Sequence, residues 1–163
     1  MEPDNQPQQQ QQAQVRLSRT YPVAAEKVWR AWTDPQALTQ WFGPARGKAD
    51  VKAAEIDLRE GGHFRFNFNL PDGDNNEASG VYQQVQPHQN LVFSWAWRST
   101  PERVSRISIT LTPVAGGTEL LFVHDRFFDL QARDNHAKGW PMFLDSLDHF
   151  LEPSTTSTTT QEA

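Results

Sequence analysis

The chain has 163 residues, which suits one domain rather than two. It contains no cysteine, so disulfides, thiol catalysis and thiolate metal sites are excluded; its 15 Lys and Arg against 20 Asp and Glu give a net charge of -5, which argues against a nucleic-acid binder with a basic face. No run approaches the roughly 20 apolar residues of a membrane span and the N-terminus lacks the segments of a signal peptide, so a cytoplasmic location and no membrane insertion are expected.

Residues 1–14 are Gln-rich and without apolar periodicity, a composition that cannot offset its own ordering entropy and reads as a disordered tail. Residues 153–163, a Ser/Thr run, read the same way, leaving 15–152 as the folded domain. Val15 to Pro22 alternates with period two and predicts a strand. Ala25, Val28, Trp29 and Trp32 then fall on one helical face within Ala24 to Thr33. Asp34-Pro35 caps and opens a second short helix carrying Leu38, Trp41 and Phe42, which Gly43-Pro44 ends.

Six strands follow. Lys52 to Arg59 leads to the Gly61-Gly62 turn, and His63 to Leu70 puts Phe64, Phe66, Phe68 and Leu70 on one face. Pro71 to Asp74 is a turn, Ser79 to Gln86 a strand carrying Tyr82, and Pro87 to Asn90 another turn. Leu91 to Trp97 aligns Leu91, Phe93, Trp95 and Trp97; Arg103 to Thr112 aligns Ile107, Ile109 and Leu111; Gly116-Gly117 turns into Thr118 to Asp125. Short turns make neighbours antiparallel. A final helix, about Gly139 to Leu151, aligns Trp140, Phe143, Leu144, Leu147 and Leu151 in one stripe, and Glu152-Pro153 stops it. The simplest α+β packing sets that stripe on the aromatic sheet face.

The blocks Pro22 to Trp29, Thr33-Asp34-Pro35 and Trp41 to Pro44 are followed by Asp57 to Gly62 with Phe64. Next come Gly80-Val81-Tyr82, Pro87, Leu91 and Trp95, then Gly117 to Leu120, His124, His136, Gly139-Trp140 and Leu144. In this order they resemble the activator-of-heat-shock-protein-90-ATPase-homologue family, over essentially the whole folded region. The resemblance implies the wider group of steroidogenic-acute-regulatory-type lipid-transfer domains, birch-pollen-allergen-like proteins and polyketide cyclases. It implies their helix-grip fold, a curved antiparallel sheet of about seven strands in β-α-α-β6-α order around a long C-terminal helix, often with an apolar ligand cavity between them. Two departures stand out. Ala24 and Ala25 offer no side-chain cap where the family often has Ser, Thr or Pro, and only the Gln-rich segment precedes the first strand, where the eukaryotic co-chaperone has a further domain.

The aromatic face is either a packed core or a cavity lining. On the cavity reading the chain binds an apolar or aromatic small molecule without a cofactor, and the expected lining is Trp41, Phe66, Phe93, Trp95, His124, Trp140, Phe143 and Leu147, with Trp97 also beside the void. His124 shares the face of Thr118, Leu120 and Phe122, either as a ligand contact, an acid/base, or a satisfied structural histidine. Asp125 faces the other way and there is no nucleophile elbow, so no catalytic set is assigned. His63, His88, His136 and His149 lack ligand spacing, so no metal site is expected. The alternatives are a cofactor-free cyclase or hydrolase-like enzyme using His124, and a module that binds a chaperone or other protein.

Overall fold

The computed structural model describes residues 13–42, 51–69 and 75–152. Both expected tails, the Gly43-Pro44 stop and the Pro71 to Asp74 turn lie outside the described residues, apart from positions 13 and 14. The elements are β1 (Val15–Tyr21), α1 (Ala25–Thr33), α2 (Pro35–Trp41), β2 (Val51–Ile56), β3 (His63–Asn69), β4 (Asn75–Gln86), β5 (Asn90–Trp97), β6 (Ser105–Val114), β7 (Gly117–Asp125) and α3 (Leu130–Phe150).

The strands form one antiparallel sheet in the order β1-β7-β6-β5-β4-β3-β2, with α3 across its concave face, and this is the helix-grip arrangement. Consecutive strands from β2 to β7 are joined as hairpins, and β1 closes the far edge against β7, with Val15 opposite His124. Alternation decides the inner face: Phe64, Phe66 and Phe68, Leu91, Phe93 and Trp95, Ile107, Ile109 and Leu111, and Thr118, Leu120, Phe122 and His124 are all buried. Gly80 sits opposite Phe64, where a side chain would meet the Ser94 carbonyl oxygen at 1.9 Å and the Phe64 ring at 2.7 Å, so only glycine lets β4 lie this close.

α1 starts without a side-chain cap, whereas Asp34 caps α2 by accepting from the Gln36 N–H at 3.0 Å. The Trp41 indole N–H donates to the Ala31 carbonyl at 2.7 Å and ties the two short helices together.

α3 begins at Leu130, nine residues before the start that the apolar stripe suggests. Its start is set by a polar cap, the Asp129 carboxylate accepting from the Ala132 N–H at 2.8 Å. Its first nine residues bury no side chain fully, so they show no apolar stripe to read; buried positions begin at Trp140. Pro141 lies inside the helix, at the junction of the two halves. The C-terminal half is also fastened to β1, where Arg19 bonds Asp145 at 3.2 Å and Asp148 at 2.6 Å.

Candidate functional site

Between the N-terminal half of α3 and the β5–β6 end of the sheet lies a cavity of about 360 Å³. Trp95, Trp97, Phe127, Trp140 and Phe143 supply its apolar walls, with Ser105, His136 and Asn135 as polar points. Half-exposed Arg103 and exposed Phe128 mark its mouth, the guanidinium carbon of Arg103 lying 4.0 Å from the centre of the Phe128 ring.

Two tryptophan–histidine pairs frame this space. The Trp140 indole on α3 donates to Nδ1 of His124 on β7 at 3.0 Å, and the Trp97 indole on β5 donates to Nε2 of His136 on α3 at 2.9 Å. The pairs are crossed, since each surface supplies one tryptophan donor and one histidine acceptor. The chemistry of the partners then fixes both tautomers. An indole can only donate, so Nδ1 of His124 carries no proton and its Nε2–H faces the Ser105 hydroxyl at 2.7 Å. Ser105 in turn donates to the Trp95 carbonyl at 3.2 Å, which completes a chain of three bonds. A carbonyl can only accept, so His136 donates from Nδ1 to Ala132 at 2.8 Å and leaves Nε2 for Trp97.

Both rings are held neutral. Burial pushes the His124 pKa well below the usual histidine value, and His136, whose ring centre is 4.8 Å away, lowers it further. Burial lowers His136 too, partly countered by its bond to the Ala132 carbonyl. Phe127 covers both rings, at 4.3 Å from His124 and 5.1 Å from His136. It is turned inward by Arg126, whose φ of 65° redirects the chain as it leaves β7.

Of the eight expected lining residues, Trp95, Trp140 and Phe143 border the cavity, and so does Trp97. His124 sits directly behind it, fully buried with both nitrogens engaged. Trp41, Phe66, Phe93 and Leu147 belong to the packed core instead. Phe42 fills that region, with ring centres 5.3 Å from Trp41, 5.2 Å from Phe66 and 4.9 Å from Phe143. Phe93 packs on Phe64 at 5.2 Å. Asp125 faces outward and pairs with Arg106 at 2.8 Å. Sequence patterns do not single out Phe127, His136 or Arg103 as site residues: the first two follow or precede the regular patterns, and Arg103, expected to open a strand, lies in the turn before β6, which starts at Ser105.

Among the described residues no cluster of three or more His, Asp or Glu is placed to hold a metal ion, and no helix is long and apolar enough to cross a membrane.

Residues 22–152 match the model of the family described as Activator of Hsp90 ATPase homolog 1-like protein. Similar solved structures include a protein from Chromobacterium violaceum, 25% identical with a TM-score of 0.74, the match covering 86% of this chain and 98% of that one. A protein from Nitrosomonas europaea is 24% identical with a TM-score of 0.72 and coverages of 86% and 94%. One from Micromonospora echinospora is 29% identical with a TM-score of 0.65 and coverages of 88% and 78%. No curated protein matches the chain.

Proposed function

The chain belongs to the Activator of Hsp90 ATPase homolog 1-like family, and from that premise we propose that it is a binding domain for an apolar or aromatic small molecule, held in the cavity under the N-terminal half of α3. One observation carries the reading: a cavity of about 360 Å³ is lined by three tryptophans and three phenylalanines beside the contiguous apolar core. That volume lies within the range of small-molecule sites, roughly 300–1,000 Å³, and the lining has their usual character, apolar with few polar points. The space opens at the Arg103–Phe128 mouth, so an apolar ligand entering it would release water from the aromatic walls.

Binding is favoured over acid–base catalysis because the two histidines near the cavity have no free nitrogen. His124 and His136 each use one nitrogen as donor and one as acceptor within the protein. Proton transfer by either would first require breaking a tryptophan bond. Their role in this reading is to position the tryptophans. Exposed Phe128 borders the mouth, so this side chain is read as part of the entrance rather than of a separate docking face for a chaperone.

The test is a titration of the full chain with flavonoids, fatty acids and sterols, followed by tryptophan emission and melting temperature. Three of the six tryptophans border the cavity, so a bound aromatic should change emission saturably. A ligand that binds only the native state should also raise the melting temperature. No saturable change with any class, and no small molecule retained in native mass spectrometry of the purified protein, would overturn the reading.

A further inference from the structure

The geometry points to a ligand that carries an anion. We propose that the cavity takes an aromatic or apolar carboxylate, with its apolar body among Trp95, Trp97 and Trp140 and its carboxylate at Arg103. This rests on the cavity being a binding site, as proposed above.

Among the described residues that line the cavity, Arg103 is the one formally charged side chain, and none is Asp or Glu. That is a local inversion, since the chain as a whole has a net charge of -5. The His136 ring, the other titratable lining group, is held neutral by burial, with its Nε2 occupied by the Trp97 N–H.

The cation is also positioned. The turn that carries it is pinned by two backbone bonds, Thr100 N–H to the Trp97 carbonyl at 3.0 Å and Arg103 N–H to the Thr100 carbonyl at 3.0 Å. Its guanidinium lies over the Phe128 ring, and a guanidinium over a ring face keeps its in-plane N–H donors for a second partner. Among the described residues its side chain has one ion pair, a 3.8 Å contact with exposed Glu102, which is at the limit of such a bond and readily displaced. A carboxylate buried among the tryptophans alone would lose its hydration without replacement. At the mouth it meets a planar donor fork that matches its two oxygens. The polar Thr100 and Asn135 side chains border the same space and can complete its hydrogen bonding.

The experiment compares 2-naphthoate with 2-naphthalenemethanol, which share a ring system and differ in charge, by isothermal titration calorimetry on the full chain. The expected result is about tenfold tighter binding of the naphthoate, the scale of one charge-assisted hydrogen bond. The preference should shrink when ionic strength rises from about 0.05 to about 0.5 M. Arg103→Gln, a planar neutral replacement, should abolish the preference while leaving the alcohol's affinity within about twofold. Equal affinities in the unaltered protein, or a preference that survives Arg103→Gln, would overturn the anion assignment and leave the cavity reading intact. Binding of neither compound, together with no ligand from the wider panel, would overturn both.

Discussion

The two halves of α3 face the same sheet and meet it in different ways. Beneath the C-terminal half, Phe42, Phe66, Phe68, Phe143, Leu144 and Leu147 fill the space by direct apolar contact, and the Arg19 bonds to Asp145 and Asp148 lie to one side of it. Beneath the N-terminal half, helix and sheet stand apart around a cavity, spanned by the Trp97–His136 and Trp140–His124 bonds. Apolar contact has no preferred spacing other than the closest one, so an interface made only of it tends to collapse. A hydrogen bond has a length and a direction. Two of them, crossed between the surfaces, act as struts that keep a void open while the adjoining core keeps the helix in place.

Several variants would break or sharpen this contrast. Trp140 belongs to both regions, packing on Phe122 at 4.6 Å and holding His124, so Trp140→Ala should give the largest loss. Denaturant unfolding should show about 3–5 kcal/mol of destabilisation; a near-neutral result would mean that α3 does not depend on this anchor. Leu144, fully buried in the filled half, should cost about 2–5 kcal/mol when changed to Ala. The same change should leave the affinity of an aromatic probe unaltered, and a shifted affinity would show that the two halves are not independent.

The strut end should also be the acid-sensitive one. His124 and His136 are neutral in the folded chain because burial lowers both, but once unfolded they titrate near the ordinary value of about 6.5. Below that pH the unfolded state binds protons that the native state refuses, so stability falls as pH drops and is unaffected above it. The fully buried His124 sets a slope approaching about 1.4 kcal/mol per pH unit, and the more exposed His136 adds less. Melts between neutrality and the carboxylate range should show this slope, and His124→Gln should flatten it by one proton; an unchanged slope would locate the acid sensitivity elsewhere. The smallest effect is expected for Trp97→Phe, which removes one strut donor beside a water-accessible space. A loss of about 0.5–1.5 kcal/mol is expected, together with weaker binding of an aromatic probe; unchanged affinity would make this strut dispensable.

The sequence was informative where packing is regular. Period-two alternation predicted the inward faces of β3, β5, β6 and β7, and the 3.6-residue stripe from Trp140 predicted the filled half of α3. The same logic could not tell Trp41 or Phe66, which fill the core, from Trp95, which borders the void, because all three are inward aromatics. The open half of α3 is not legible in the sequence for a related reason. A helix over a cavity has little to bury, so Ala132, Asn135 and His136 carry no apolar signature, and only the Asp129 cap marks where the helix begins. His136 in particular becomes meaningful through Trp97, 39 positions away, a pairing that the alternation of one strand cannot reveal.

The edge position of β1 has a consequence for how the chain reaches this fold. From β2 to β7 the sheet can grow hairpin by hairpin, each strand meeting a neighbour just completed. β1 can join only after β7 exists, and Ser18 meets Glu119 across 101 positions. Closing so long a loop loses entropy before any contact rewards it. β1 should therefore dock late, after the barrier to folding has been crossed. Substitutions such as Leu17→Ala should then speed unfolding and leave the refolding rate nearly unchanged in a stopped-flow chevron, whereas a matching slowdown in refolding would place the edge strand in the nucleus. The first strand in the sequence would be the last to join the sheet.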